Sequence, residues 1–319
     1  PYIPGCEFKS PAALALCKSR FRYGRGVGTA WYGIGRCATV DKAGAFVEID
    51  DGGTAMVLTG ATEIGEGLLT VLTQIAAEEL GIYPEDVTIG DNDTARVPEA
   101  AHAGASRQTY MIGNAVLNAC RDAKDKFIRE IAEYWNVEAA SIRMRNRRIF
   151  VEGHSNYDLP LEEAVDICKK VRGVVPLGSG IYTAHHESLD PKTGKGNPWQ
   201  AYVYGSQVAE VAVDTSTGEV HVLGIWAAHD VGRAVNPRGV EGQIEGGAVQ
   251  SVGQAIMEEF TFSEGVPQQR SFAKYILPTC VDIPAFHSCL VEDRDPFSPL
   301  GAKGIGEPAP LPTVPAIIN

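Results

Sequence analysis

Two stretches of this chain repeat one order of signals, an alternating hairpin, a loop of small residues and a helix. In the first, Phe46-Val47-Glu48-Ile49 alternates, Asp51-Gly52-Gly53 supplies a turn and Met56-Val57-Leu58 resumes the apolar run. That pattern predicts a β-hairpin. The glycine-rich loop Gly60 to Gly67 follows at once, and then Leu68, Leu69, Leu72, Ile75, Ala76 and Leu80 recur at helical spacing up to Gly81. A glycine there is a natural helix stop. In the second stretch Val203, Val208, Val211 and Val213 alternate, Ser216-Thr217-Gly218 turns, and Val220, Val222 and Ile225 return. Asp230-Val231-Gly232 and Asn236-Pro237 then precede a helix expected over 241–260. The order over 45–80 and 203–260 reads as a distant internal duplication.

Residues 1–44 mix Pro, Gly, Arg and aromatics without clean periodicity and read as an irregular lead-in. A first domain is expected over 45–170, a linker over 171–200 and a second domain over 201–319. Within the first, a short strand near Val87 leads to a third small-residue loop, Ala103-Gly104-Ala105-Ser106-Arg107-Gln108-Thr109, which opens a long amphipathic helix over 113–135. A short hairpin around Arg147-Arg148-Ile149-Phe150 and a helix over 161–171 follow. Tyr275-Ile276-Leu277 reads as a strand, and residues 315–319 as the start of a helix.

Composition removes several function classes. With 28 Lys and Arg against 40 Asp and Glu, the net charge is −12, the wrong sign for nucleic acid or an anionic membrane. No apolar run is long enough to span a bilayer, so a cytoplasmic location is expected. Seven cysteines at wide spacings, with no C-x-x-C, point to free thiols and argue against a cluster or structural zinc held by this chain alone. Neither G-x-G-x-x-G nor a P-loop pattern is present.

Free N–H groups at a helix start bind anions, and glycine lets backbone come close. Gly65-Glu66-Gly67 and the loop Ala103 to Thr109 fit that logic, although glycine loops also simply turn a chain. Glu307 lies in Gly304-Ile305-Gly306-Glu307-Pro308, where glycines allow close approach and proline biases the glutamate toward extended backbone. It reads equally as a desolvated general base or as part of a solvated proline-rich tail.

Four stretches, in order, resemble the molybdenum-cofactor subunit of the molybdenum hydroxylase, or xanthine oxidase, family. They are Gly60 to Thr70 with Gln74 to Glu78; Gly104 to Thr109 with Gly113-Asn114-Ala115-Val116; Asp230-Val231-Gly232 through Asn236-Pro237 to Glu241-Gly242-Gln243-Ile244-Glu245-Gly246; and Gly301 to Pro308. The resemblance implies an α+β fold in which two cofactor-binding domains built of hairpin–loop–helix units hold the pterin by such loops. It assigns Glu307 as the base beside molybdenum. Gly65, Glu66, Gly67, Ala103, Gly104, Ala105, Ser106, Arg107, Thr109, Gln243, Gly304, Ile305 and Gly306 are then expected to hold the cofactor, the metal itself being held by the pterin.

Glu66 departs from the family pattern, where glutamine is common, and Arg107 is expected either to balance its charge or to lie at the surface. The implied cofactor is Mo-molybdopterin, in the cytosine dinucleotide form, with a terminal sulfido or selenido ligand. The implied reaction hydroxylates an electron-poor carbon, of an N-heterocycle such as nicotinate, a purine or an aldehyde, with water as oxygen source. Implied partners are an iron–sulfur subunit carrying [2Fe-2S] clusters, a subunit carrying FAD, and a second molybdopterin polypeptide completing the pocket. A non-catalytic scaffold subunit and an unrelated glycine-loop nucleotide-binding protein are the alternatives.

Overall fold

The computed structural model describes residues 21–37 and 39–319. Its strands are β1 (Phe21–Gly33), β2 (Lys42–Ile49), β3 (Ala55–Leu58), β4 (Val87–Ile89), β5 (Ile142–Arg145), β6 (Arg148–Val151), β7 (His154–Pro160), β8 (Leu177–Thr183), β9 (Tyr202–Asp214), β10 (Val220–Asp230), β11 (Phe262–Ser263), β12 (Val266–Pro267) and β13 (Ala285–Val291). The α-helices are α1 (Leu68–Leu80), α2 (Gly113–Trp135), α3 (Leu161–Asp166), α4 (Pro237–Ile256) and α5 (Thr313–Ile318). The mixture is α+β, and the chain forms two compact units.

One unit comprises residues 33–201 and 294–304. Its main sheet has the order β4-β3-β2-β8. The predicted hairpin is the β2–β3 pair, with Val47 opposite Val57, and the chain then crosses through α1 to lay β4 parallel to β3. Val47, Ile49 and Val57 face inward, fully buried, where α1 contributes Leu72, Ile75 and Ala76 and α2 contributes Ala115, Ala119 and Phe127. Burying each of these larger side chains stabilises the unit by about 1.5–3 kcal/mol. A smaller sheet, β5-β6-β7, sits after α2 in the chain.

The other unit comprises, of the described residues, 21–32, 202–293 and 305–319. Its sheet has the order β1-β9-β10-β13. The β9–β10 hairpin is antiparallel with a bulge between Val222 and Gly224, and β13 returns through α4 to run parallel to β10. Hairpin, helix and parallel strand thus recur in both units. Asn236 starts α4 by accepting the Gly239 N–H at 3.0 Å, with Pro237 in the first turn. Ala209, Ile225, Val252, Ala316 and Ile317 form a core between the sheet, α4 and α5.

Several expectations are corrected. Residues 21–33 are a 13-residue strand and no irregular lead-in; the expectation for residues 1–20 lies outside the described residues. The covered face of β1 carries Gly26 and Gly28 where other strands carry apolar side chains. A Cβ on Gly28 would overlap the Pro312 carbonyl oxygen beneath it. The stretch 171–200, expected as a linker, contains β8, which pairs along β2 with Phe46 opposite Ser179. Tyr275-Ile276-Leu277 is turn and loop, and the strand of that region is β13. The helix expected over 161–171 is α3 continued by one wide turn over Ile167–Arg172.

Candidate functional site

In the unit holding α1 and α2, two small-residue loops precede the two helices. Gly65 and Gly67 adopt left-handed backbone, with φ of 102° and 86°. Their N–H groups, expected to be available to a cofactor, are given to the protein itself. The Glu63 carboxylate accepts them at 2.9 and 2.8 Å, and the Leu69 N–H at 3.0 Å. Burial opposes charge on Glu63, but these three bonds, together with a hydrogen bond from Glu66, outweigh it and hold its pKa below the usual range. Glu66 is raised, first by burial and then by its bond to Glu63. Glu66 also accepts the Ile64 N–H at 2.8 Å and the Gln108 side-chain amide at 3.0 Å. What the loop leaves open is space: a Cβ added at Gly65 or Gly67 would meet nothing within 4 Å.

The loop before α2 is strained. Ala101, Ala105 and Ser106 all have positive φ, at 60°, 55° and 46°. Non-glycine residues hold this conformation only where the surroundings impose it. The chain then enters α2 through a π-turn over Gln108–Ile112, a distortion common at functional sites. Two contacts fix the loop: Ala105 O accepts the Gly35 N–H at 2.9 Å, and Gly304 presses against Ser106. A Cβ on Gly304 would overlap the Ser106 carbonyl oxygen, so only glycine fits. Ala103, Gly104 and Thr109 are half-buried beside them.

Arg107 lies neither at the surface nor toward a ligand. Its side chain is fully buried and paired with buried Asp41 at 2.7 Å. Nε also donates to Asp41, NH1 to the carbonyls of Ala100 and His102, and NH2 to that of Lys42. A guanidinium has five N–H donors, and all are engaged. Both expectations for its side chain, balancing Glu66 or lying at the surface, are therefore corrected: it neutralises Asp41.

In the unit holding α4 and α5, Glu307 sits in the turn Ile305 to Pro308. Ile305 is buried, Gly306 exposed and Glu307 half-buried. The ionisation of Tyr32, at the end of β1, is pushed up to about 12 by burial, then by the charge of Glu307 and hydrogen bonding to it. On α4, Gln243 stands beside the same turn, 3.7 Å from where a Gly306 Cβ would be. Gly242 and Gly246 of this helix also face open space. Behind the turn, Gln207 donates to Ala309 O at 2.9 Å and accepts from Thr313 Oγ1 at 2.6 Å. It also contacts His229 Nε2 at 3.0 Å. His229 is fully buried, and burial lowers its pKa to about 4.

Sequence pattern does not single out Tyr32, Asp41 or Gln207, which carry no local signal of what they touch. Gln108 lies inside the quoted loop motif. Among the described residues no group of three or more His, Cys, Asp or Glu is placed to hold a metal ion.

Within the unit of Glu307, the open faces of Gly242 and Gly246, the neutral amide of Gln243 and the Glu307 carboxylate suit a flat organic group rich in hydrogen-bonding atoms. The chain matches the family model for the molybdopterin cofactor-binding domain over residues 8–284, and it belongs to that family, the molybdenum hydroxylases.

It is 31% identical over 287 residues to the 6-hydroxypseudooxynicotine dehydrogenase complex subunit gamma of Paenarthrobacter nicotinovorans, covering 86% of this chain and 35% of that protein. It is also 31% identical, over 283 residues, to the xanthine dehydrogenase molybdenum-binding subunit of Escherichia coli O157:H7, covering 88% of this chain and 36% of that one. Among solved structures, quinoline 2-oxidoreductase from Pseudomonas putida 86 superposes with a TM-score of 0.82 at 26% identity, over 96% of this chain and 39% of that one. The chain thus spans about a third to two fifths of these relatives.

Proposed function

We propose that this chain is the molybdenum-cofactor-binding part of a heteromeric hydroxylase, with Glu307 as its general base. The observation that carries the reading is the Glu307 turn itself: a half-buried carboxylate in a glycine turn, beside Gln243. In the unit of Glu307, Gly242 and Gly246 would lie against the cofactor through their open Cα faces and Gln243 would hydrogen-bond it; the other unit offers, by itself, the open Cα faces of Gly65 and Gly67 and the Ala103–Ser106 loop backed by Gly304. When bound, the molybdenum centre supplies the two-electron oxidant for converting a C–H bond and water to a C–OH group. Glu307 takes a proton from the water-derived oxygen as that oxygen becomes nucleophilic. Gln207 and Thr313 keep the backbone behind it fixed.

An electron-poor N-heterocycle, nicotinate among them, is the proposed substrate class, supported by relatives named for quinoline and for a nicotine-derived compound. The cytosine dinucleotide form of the pterin, its sulfido or selenido ligand, and partner subunits carrying [2Fe-2S] and FAD belong to the same proposal. Two relatives named as subunits, one the gamma subunit of a complex and one a molybdenum-binding subunit, support a multi-chain assembly. So do Phe260, Phe262, Phe272 and Val281, large apolar side chains exposed by 55 to 87%. Whether a separate polypeptide completes the pocket, as in nicotinate dehydrogenase, is tested by the subunit composition of the native complex. No helix among the described residues is long and apolar enough to cross a membrane; a cytoplasmic location is proposed.

Glu307→Gln in the assembled enzyme tests the reading. It retains molybdenum and pterin while turnover falls about 10²–10⁴-fold, the usual cost of a lost base. Unchanged turnover with cofactor retained favours the non-catalytic scaffold instead.

A further inference from the structure

We propose that His229 is a positioning residue for the base: through the side-chain amide of Gln207, its imidazole sets the backbone of the turn that carries Glu307. This rests on the reading of Glu307 as the base. All the groups involved belong to one unit, and His229, Gln207, Ala309 and Thr313 are fully buried.

The carbonyl at the end of the turn decides the chemistry of the rest. The Ala309 N–H donates to Ile305 O at 3.2 Å, which closes a turn with Glu307 at its middle. Ala309 O can only accept, so the group 2.9 Å from it is the NH2 end of Gln207. The amide oxygen is then left for the Thr313 hydroxyl, at 2.6 Å in the first turn of α5. The same amide nitrogen lies 3.0 Å from His229 Nε2. Two donors do not face each other at that distance, so Nε2 carries the lone pair and the ring proton is on Nδ1. Turned by 180°, the amide would set its oxygen against both Ala309 O and that lone pair. One orientation survives, and it is the one that grips the turn.

The imidazole is placed for this contact. Gly205 lies opposite His229 across the β9–β10 ladder, and a Cβ there would overlap Nδ1. Nδ1 itself has no hydrogen-bond partner among the described residues. A buried N–H left unpaired costs stability, and an apolar side chain would avoid that cost. What the histidine supplies instead is the Nε2 acceptor. Ser251, on α4, holds the next carbonyl, Pro310 O, at 2.9 Å, so two successive carbonyls behind Glu307 are held by side chains. Gln207 is the link from the turn to the sheet, and His229 orients that link.

His229→Leu and His229→Gln in the assembled holoenzyme, each alone and combined with Glu307→Gln, are the test. A glutamine offers an oxygen where Nε2 lies; a leucine offers nothing. His229→Leu is expected to keep its molybdenum content and a KM within about twofold, and to lose about 10–100-fold in kcat, the scale of a slightly misplaced catalytic group. His229→Gln recovers most of that loss. In the Glu307→Gln background His229→Leu costs nothing further. Gln207→Met, close in volume but without the amide, loses as much and carries the test if His229→Leu does not assemble. Val252→Ala, in the apolar core of the same unit, lowers the unfolding midpoint and leaves kcat unchanged. Unchanged kcat in His229→Leu and Gln207→Met, no recovery by glutamine, or the same loss in both backgrounds overturns the proposal and leaves the base assignment standing. Ordinary turnover of Glu307→Gln alone overturns the base assignment, and this proposal with it.

A readout independent of turnover accompanies the kinetics. Amide hydrogen exchange over 305–313 is expected to speed up in His229→Leu and Gln207→Met while the β9–β10 hairpin keeps its protection. Exchange that is unchanged, or faster by the same factor throughout the unit, overturns the proposal even where a variant loads cofactor poorly.

Discussion

Arg107 and Asp41 form an ion pair at 2.7 Å with both side chains closed to solvent, one leading into α2 and the other preceding β2. The pair is a strut for the loop between them in space: the other guanidinium donors hold the carbonyls of Ala100, His102 and Lys42, while Asp41 also accepts the Arg36 N–H at 3.0 Å. Removing one partner leaves an uncompensated buried charge. Asp41→Asn is expected to cost about 3–5 kcal/mol of stability, read as a lower denaturation midpoint, with a fall in bound molybdenum. Arg107→Lys is not expected to rescue, because a point charge with three donors cannot replace a planar fork with five.

Gly304 tests the loop from its other side. Its Cα rests so close to Ser106 O that a Cβ would overlap it, and Ser106 already holds a φ of 46°. Gly304→Ala therefore forces the strained loop to move. An overpacking cost of about 1–3 kcal/mol is expected, together with cofactor loss out of proportion to the change in unfolding midpoint. Molybdenum analysis of the purified variant beside its melting curve checks this; full loading would show that the loop's conformation does not matter to cofactor retention.

What can be read from the sequence depends on whether the covering surface is a side chain or a backbone. β2, β3, β9 and β10 alternate apolar residues, and α1 and α2 place them at helical spacing, so each is legible in the pattern. β1 and β8 are not, because glycines occupy their covered faces and remove the alternation. The loops of the candidate site are legible as motifs, but the direction of Arg107 is not. Left-handed Ala105 and Ser106 precede it, and its partner Asp41 lies 66 positions earlier. Tyr32 is hidden for the same reason, since its hydroxyl meets a residue from the far end of the chain.

His229 predicts a pH dependence of stability. Burial lowers its pKa to about 4 from an ordinary 6.5, so between those values the unfolded chain binds a proton that the folded chain does not. Stability is therefore whole above pH 6.5 and declines as the pH falls toward 4, by on the order of 3 kcal/mol from this residue. His229→Gln keeps an acceptor for the Gln207 amide but cannot titrate. Unfolding midpoints across this range are expected to slope less steeply in the variant than in the parent; parallel slopes would remove His229 as the cause.

Glu63 and Glu66 pull in opposite directions at the start of α1, and the sign for each is set by its shift. Glu63 is lowered, so its contribution is present above the ordinary carboxylate range and is lost as the pH falls through its folded value. Glu66 is raised, so the folded chain holds its proton more tightly than the unfolded chain does. Its penalty appears as the pH rises through and beyond the ordinary carboxylate range. A glutamine at 66 keeps one oxygen for the Ile64 N–H and an amide to donate to Glu63, with no charge to bury, and gives up only the bond that Glu66 Oε1 accepts from the Gln108 amide, which retains its bond to Thr62 O. Glu66→Gln is therefore expected to raise the unfolding midpoint at neutral pH, to leave it unchanged at acid pH and to preserve molybdenum content. Glu63→Ala strips three N–H groups of their acceptor and is expected to cost about 0.5–2 kcal/mol, the scale of a lost helix cap. Thermal melts of both variants at two pH values check the pair: if Glu66→Gln destabilises at neutral pH, its carboxylate is charged there and bound by something other than Glu63 and Gln108.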